Sequence, residues 1–440
     1  MFIRRLAAER LRSLVATFPV VIVSGARQVG KSTLLQQLFP ASSGWKTILF
    51  DPVADVRAAR QDPDVFLDSH PAPLILDEIQ FAPELVPAIK RRVDQSARKG
   101  PPRPGQYILT GSQRWSVLRT ASESLAGRAV FLDLEGLALS EIAAPSIPWD
   151  ELVPDRVGLP ADSHWLARYL HDPQAFVTSA SSRTADLTDP PSATQRTLHE
   201  QLWRGSLPMA NQLELAVLPS FQLAYLRTYI ERDARLLGEV SDWQLFSRFV
   251  QLASALTAQE INASHLGREI GLTPKTAARW LAMLAGTYQW FELPPYHGNT
   301  VKRITARRKG HIADTGLACA VQQISSPGAL AGHPQVGSLF ESFVFAEIRK
   351  LSGTLATPPA MYHWRTSGGA EVDIVLERDG TLYPIEVKLA SQPSGNDGRG
   401  LQAFRATYPL ARVAPGLLMC ASSTAYRVGP NEWVVPYNIG

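Results

Sequence analysis

The strongest constraint on this chain is the eight-residue stretch Gly25-Ala26-Arg27-Gln28-Val29-Gly30-Lys31-Ser32. It lies between an apolar β-branched run, Val20-Val21-Ile22-Val23, and the helix-like Thr33-Leu34-Leu35-Gln36-Gln37-Leu38-Phe39. A strand, a Gly-x-x-x-x-Gly-Lys-Ser loop and a helix start, in that order, form the context in which such a loop grips phosphate. Gly25 and Gly30 let the backbone curl so that successive N–H groups point into one concavity, and the helix N-terminus adds partial positive charge there. Gly25, Arg27, Gln28, Val29, Gly30, Lys31, Ser32 and Thr33 are therefore the expected cradle for ATP. Lys31 reaches the β/γ-phosphates, and the Ser32 hydroxyl takes one Mg²⁺ position.

The following residues supply the rest of a nucleotide site. Leu74-Ile75-Leu76-Asp77-Glu78-Ile79-Gln80 is an apolar strand ending in two acids. Asp77 is placed for the Mg²⁺ shell, and Glu78 is placed to polarise the attacking water. Thr47 to Asp51 and Tyr107 to Ser112 read as further strands, the latter lying between the loop strand and the acidic strand, with Thr110 or Ser112 as γ-phosphate sensor. Ser124-Leu125-Ala126-Gly127-Arg128 precedes a strand from Ala129 to Leu134. Arg128 is a candidate to stabilise phosphoryl transfer, in its own subunit or as a finger across a subunit boundary. Alternating strands and helices over residues 1–144 imply a parallel α/β sheet with its ligand at the strand C-termini.

Residues 145–240 change character. Pro145, Pro148, Pro154, Pro160, Pro173, Pro190 and Pro191 interrupt the pattern, and a helical lid is expected near Ser163 to Leu170. Helices resume at Leu198–Gly205 and Leu218–Leu237.

Residues 241–310 read as a winged helix. A short helix from Ala263 ends at Gly271, and Thr273 caps a second helix with Pro274 at its first position. Gln289–Leu293 and Thr300–Thr305 are the expected wing. From Trp243 to His311 there are nine basic residues and three acidic ones, a net of +6 against +4 for the whole chain. Lys275, Arg279, Lys302, Arg303, Arg307, Arg308 and Lys309 are the candidate phosphate contacts to DNA.

Residues 311–440 carry a third pattern. An apolar helix around Gly337–Ile348 holds Glu341, and Ala370–Glu377 and Leu382–Lys388 read as strands joined by an Asp379-Gly380 turn. Period two puts Glu371 and Asp373 on one strand face, and Glu386 and Lys388 on one face of the neighbour. Carboxylates from adjacent strands beside a lysine suit one or two Mg²⁺ ions and a water nucleophile. Glu341, Glu371, Asp373, Glu386 and Lys388 are thus a candidate nuclease-type site.

Composition narrows the setting. With 440 residues, 45% apolar and 19% charged, the chain has material for about two to four domains with sizeable cores. No apolar run reaches membrane-span length, and basic and acidic residues break any leader core near Met1. Cys319 and Cys420 match no metal or redox spacing, which suits packing roles in a reducing cytoplasm.

Taken together, these motifs resemble the AAA-type (AAA+) P-loop ATPases of bacteria and archaea that carry a C-terminal domain of unknown function with a PD-(D/E)XK nuclease-like core. Tyr-Ile-Glu-Arg-Asp at 229–233, Asp-Thr-Gly-Leu at 314–317, Glu-Val-Asp at 371–373 and Ile-Glu-Val-Lys at 385–388 carry the resemblance beyond the loop. The departure from the family pattern is the long, Pro-rich segment 145–197. The resemblance implies an AAA+ ATPase core, a helical region with a winged helix, and a restriction-endonuclease-like α/β domain.

The expected function is ATP hydrolysis coupled to translocation on, or remodelling of, duplex or branched DNA, Holliday junctions included. A homo-oligomeric ring follows if Arg128 acts in trans. Two other classes stand beside it: a nucleotide-gated switch in defence or signalling, and an ATP-regulated, Mg²⁺-dependent nuclease.

Overall fold

The computed structural model describes the chain except residues 51–54, 99, 102, 114–124, 161–162, 184–195, 229–239, 241, 299–302, 304–306 and 440. It divides into two compact units, Met1–Ala161 with Gly286–Tyr288, and Asp162–Ala285 with Gln289–Gly440.

The first unit is built on five parallel strands: β1 (Val20–Ser24), β2 (Lys46–Leu49), β3 (Leu74–Asp77), β4 (Tyr107–Gly111) and β5 (Ala129–Asp133). Their order is β2-β3-β4-β1-β5. Every residue of β1, β3 and β4 is buried, as expected of strands covered on both faces. Register sets Ser24 opposite Gly111 and Leu76 opposite Leu109, so the C-terminal ends of these three strands meet at one edge. The expected insertion of the fourth strand between loop strand and acidic strand is observed.

Helices α1 (Ala7–Thr17), α2 (Lys31–Leu38), α3 (Asp55–Gln61), α4 (Pro63–Ser69), α5 (Leu85–Arg98) and α6 (Leu139–Ala143) complete the unit. Helix α1 buries Ala7, Leu11 and Val15, one residue per turn, and α5 buries Leu85, Ala88, Ile89 and Val93. The β3 and β4 side chains Leu74, Leu76, Tyr107 and Leu109 join α5 in one apolar core.

The first compact unit runs past the expected boundary at 144. Phe2 pairs with Ile147 and Arg5 with Gly158 in isolated bridges, and the Arg4 guanidinium donates twice to the Gly158 carbonyl. The segment to residue 160 is therefore part of the first unit.

The second unit begins with α7 (Trp165–His171), α8 (Pro173–Arg183), α9 (Leu198–Arg204) and α10 (Leu218–Thr228). Helix α7, expected as a lid, packs on the C-terminal sheet. Tyr169 meets Tyr383 edge-on at 5.4 Å, its hydroxyl donates to the Pro415 carbonyl at 2.7 Å, and His164 contacts Thr354 at 3.1 Å.

Next come α11 (Trp243–Ala255), β6 (Gln259–Glu260), α12 (Ala263–Ile270), α13 (Pro274–Gly286), β7 (Trp290–Leu293) and β8 (Lys309–Ile312). Asn262 caps α12, Gly271 ends it in the left-handed region, and the Thr273 hydroxyl accepts the Thr276 N–H. The three strands form an antiparallel sheet in the order β6-β8-β7. Strand β7 pairs with Lys309–Ile312, and of the expected wing strand 300–305 all but Arg303 lies outside the described residues. Lys-Gly-His-Ile carries little β signal. It is a strand because Trp290 lies over Gly310, where a Cβ would sit 2.0 Å from the ring.

Helices α14 (Thr315–Val321), α15 (Pro327–Ala331) and α16 (Val336–Thr354) lead into the last sheet. Asp314, of the Asp-Thr-Gly-Leu motif, caps α14 and also accepts the Ser206 N–H and hydroxyl, so this motif docks α14 against the end of α9.

The sheet comprises β9 (Ala360–Arg365), β10 (Glu371–Arg378), β11 (Thr381–Lys388), β12 (Arg412–Val413), β13 (Gly416–Cys420), β14 (Tyr426–Arg427) and β15 (Glu432–Pro436), with α17 (Arg399–Thr407) before β12. The order is β14-β15-β13-β11-β10-β9, with β12 beside β11. The expected hairpin is present: Asp379 and Gly380 both have positive φ, 52° and 74°. Strand β10 is bulged against β9 between Val372 and Val375, and both valines face one core with Trp364, Leu401 and Phe404. A bulge breaks simple period two. Asp373 is consequently buried while Glu371 stays 40% exposed.

Cys319 and Cys420 are both buried free thiols. Among the described residues no helix is long and apolar enough to cross a membrane.

Candidate nucleotide site and a second carboxylate pocket

At the C-terminal edge of the first sheet, β1 turns into the loop that opens α2. Gly30 adopts φ 94° and Gln28 φ 59°, the left-handed geometry that curls a chain into an anion-binding nest. Gly25 passes so close to β5 that a Cβ would lie 2.0 Å from the Leu134 carbonyl oxygen. Lys31 is 5% exposed, and its Nζ donates to the Gly25 and Ala26 carbonyls at 2.9 Å each. The lysine thus bridges the two ends of the loop it belongs to. Arg27, Val29, Ser32 and Thr33 occupy the same turn.

Sequence reasoning missed what holds this loop from behind. Arg5, which is 5% exposed, donates from Nη1 to the Val29 carbonyl at 2.7 Å and from Nη2 to the Glu135 carbonyl at 2.8 Å. Its Nε lies 3.2 Å from Glu141 on α6, whose carboxylate also accepts the Leu6 and Ala138 N–H groups. Because the carbonyl and N–H of a trans peptide point in opposite directions, fixing the Val29 carbonyl outward turns the Gly30 N–H toward the concavity. A basic residue just ahead of α1 was the available signal.

Asp77 and Thr110 sit on adjacent strand ends. The Thr110 hydroxyl donates to Asp77 Oδ1 and accepts the Glu78 N–H at 3.0 Å. Glu78 is itself left-handed, φ 61°, and its carboxylate accepts the Gln80 amide, which also reaches Ser112 at 3.2 Å. Gln80 is the second group sequence reasoning passed over.

Arg128 lies elsewhere. It precedes Ala129, which is opposite Val20, whereas the phosphate loop follows Ser24 at the other end of the paired strands. The four-residue offset is about 13 Å along the strand. Arg128 instead forms a two-pronged pair with Asp94 on α5, at 2.5 and 3.2 Å. That hydrogen bond holds the Asp94 carboxyl below its ordinary range.

The nuclease-type residues fall in the second unit, where Glu341 and Glu371, with Glu260, Lys309, His363 and Arg365, line a cavity of about 350 Å³; Asp373, Glu386 and Lys388 are not among its lining residues. Lys309, expected as an exposed phosphate contact, is buried there. Its Nζ is 2.5 Å from Glu341 Oε1 and 2.9 Å from Asp373 Oδ1. Asp373 Oδ2 accepts the Val387 N–H at 2.9 Å, and Glu386 Oε1 pairs with Lys388 at 2.8 Å. Glu371 lies 3.8 Å from Arg365.

Burial, reinforced by the Asp373 charge, pushes the Glu341 and Glu386 carboxyls up to about 8. Burial alone would lower the Lys309 pKa, but Asp373 and Glu341 hold it above its ordinary value. As arranged, the cluster does not fit a divalent ion. Among the described residues no three His, Cys, Asp or Glu side chains converge to hold one.

The remaining DNA candidates divide. Lys275 and Arg279 are exposed near the start of α13. Arg303 is half-buried: it stacks on Tyr296 at 4.4 Å and pairs with Glu377 at 3.0 Å. Arg307 is exposed, while Arg308 is half-exposed and lies 3.6 Å from Glu292. Lys302 lies outside the described residues.

A glycine-rich loop and an acidic strand end, brought to one edge of a parallel sheet with a third strand between them, are the arrangement of a P-loop nucleotide site. Residues 17–143 match the family model described as an AAA domain. Residues 195–328 and 336–439 match two further models, each described as a domain of unknown function (DUF8612 and DUF4143). Uncharacterized proteins of Mycobacterium bovis and Mycobacterium tuberculosis are each 28% identical over 412 residues, covering 93% of this chain and 79% of theirs.

Among solved structures, the Thermotoga maritima RuvB Holliday junction branch migration motor aligns with 65% of this chain and 89% of its own, at 13% identity and a TM-score of 0.29. Protein VC1899 of Vibrio cholerae aligns with 95% and 94%, at 12% identity and a TM-score of 0.16. Likeness at that level fixes neither fold nor function.

Proposed function

We propose that the protein is an ATP hydrolase whose turnover is coupled to DNA. The observation that carries the hydrolase reading is the meeting of Lys31, Asp77, Glu78 and Thr110 at one sheet edge. In this reading the loop N–H groups and Lys31 bind the phosphates. Ser32 and Asp77 are the residues that would hold Mg²⁺, and the buried Asp77 carboxylate, oriented by Thr110, fits that task. Bound Mg²⁺ neutralises charge on the phosphate oxygens. Glu78 orients the attacking water once its carboxylate leaves Gln80, and Thr110, on the neighbouring strand, ties the Asp77 carboxylate to the Glu78 N–H.

DNA contact rests on the second unit. The order α11, β6, α12, α13, β7, β8 and the β6-β8-β7 sheet match the outline of a winged helix, and Lys275 and Arg279 sit on its second turn-following helix. ATPase rate with and without single strand, duplex, fork and four-way junction tests the coupling. Stimulation by DNA, weakened by Lys275→Ala with Arg279→Ala, supports it. No stimulation by any form removes the DNA half of the reading.

One observation favours a second, slower use of the same site. The Gln80 amide engages Glu78, so the base is held away from water duty in this state. A nucleotide-gated switch would show slow turnover that Gln80→Ala accelerates.

A further inference from the structure

We infer that Lys309 is the resident cation of the carboxylate pocket in the second unit, and that its ammonium holds the position a divalent ion would need. This is independent of the nucleotide reading. The Lys309 stem is carried into the pocket by β8, whose four residues are all buried. Its Nζ lies between carboxylates from α16 and β10, at 2.5 Å from Glu341 and 2.9 Å from Asp373. An ammonium offers three donors and no acceptor, so it hydrogen-bonds Asp373 and sets a positive charge beside Glu341 in a buried space.

Among the described residues, the neighbouring carboxylate oxygens face other partners and do not converge on one point where a metal could sit. Asp373 spends its second oxygen on the Val387 N–H, and Glu386 spends one on Lys388. Glu386 is 3% exposed, and its Oε2 has no hydrogen-bond partner among the described residues. Mg²⁺ demands near-octahedral oxygens at about 2.0–2.1 Å. With Nζ in contact with two of the acids, both the space and the charge of that position are taken.

Access is not what excludes the ion, because Lys309 and Glu341 both line the cavity of about 350 Å³. The acids therefore serve to lock β8 onto α16 and β10, and the pocket is not a metal-dependent cutting site while Lys309 is in place. This explains why a strand reading Lys-Gly-His-Ile is buried.

The test is Mn²⁺ binding to the full chain without nucleotide, followed by the paramagnetic signal of free Mn²⁺, with Asp373→Asn as baseline. The wild type is expected to match Asp373→Asn. Lys309→Met should gain one bound Mn²⁺, lost again when Asp373→Asn is added, while Lys309→Arg should stay like wild type. Lys309→Gln, neutral but able to hydrogen-bond both acids, serves if Lys309→Met does not fold. Mn²⁺ binding by the wild type that depends on Asp373 overturns the inference, with or without a folded variant. So does a folded Lys309→Met or Lys309→Gln that gains no site.

Discussion

Arg5 sets the terms at the scale of single residues. One buried guanidinium holds a phosphate-loop carbonyl, a carbonyl after β5 and a carboxylate on α6. Removing one partner of a buried pair typically costs about 3–5 kcal/mol, because the other is left uncompensated. Arg5→Met should therefore destabilise the first unit by about that amount, read by denaturant unfolding. It should also weaken ATP binding at temperatures where the unit is still folded, because the Gly30 N–H loses its fixed aim. Unchanged affinity for a non-hydrolysable ATP analogue would show that the loop orients itself without Arg5. Sequence offers only a basic residue ahead of α1 and not its partner, since Glu141 is 136 residues away along the chain. The Gly-Lys-Ser loop was legible because its chemistry is local.

At the scale of elements, the β10–β11 hairpin and the acids on it were readable from period two and from Asp-Gly at the turn. Their surroundings were not. The bulge in β10 and the arrival of β8, 64 residues earlier at Lys309, decide which acids are buried and what faces them. A basic run looks like a nucleic-acid surface until tertiary contacts take members of it inside, as happened to Lys309, or engage them with an acid, as happened to Arg303.

The same packing yields a pH dependence. Burial, with the Asp373 charge behind it, pushes the folded Glu341 and Glu386 carboxyls up to about 8 from an ordinary 4.5. The folded state therefore binds their protons more tightly than the unfolded state. Their contribution is fully present below about pH 4.5 and is lost as pH rises toward 8, above which it levels off. The second unit should lose thermal stability between pH 5 and 8, by about 2–4 °C for each kcal/mol. Glu341→Gln should flatten that slope, and an unaltered slope would place the titration elsewhere.

At the scale of the whole molecule, the ring reading turns on Arg128. It sits at the sheet end opposite its own phosphate loop, tied to Asp94. An arginine supplied to a neighbour's site is worth about 10³–10⁵ in rate. If the ring reading holds, Arg128→Ala should abolish most turnover while leaving ATP binding intact. Mixing it with Lys31→Ala chains should then restore activity, because each supplies what the other lacks. A monomer by sedimentation with ATP and DNA present, turning over at full rate, would sink the ring.

The central claim is that one edge of the first sheet hydrolyses ATP with Glu78 as the group that orients water. The most direct measurement is a paired experiment on wild type and Glu78→Gln, comparing equilibrium binding of ATP with single-turnover release of phosphate. The expected result is near-equal binding and hydrolysis slowed by a hundredfold or more, about 10²–10⁴ being usual for loss of a general base. Hydrolysis by Glu78→Gln at the wild-type rate, or a wild type that binds ATP and never releases phosphate, would contradict it.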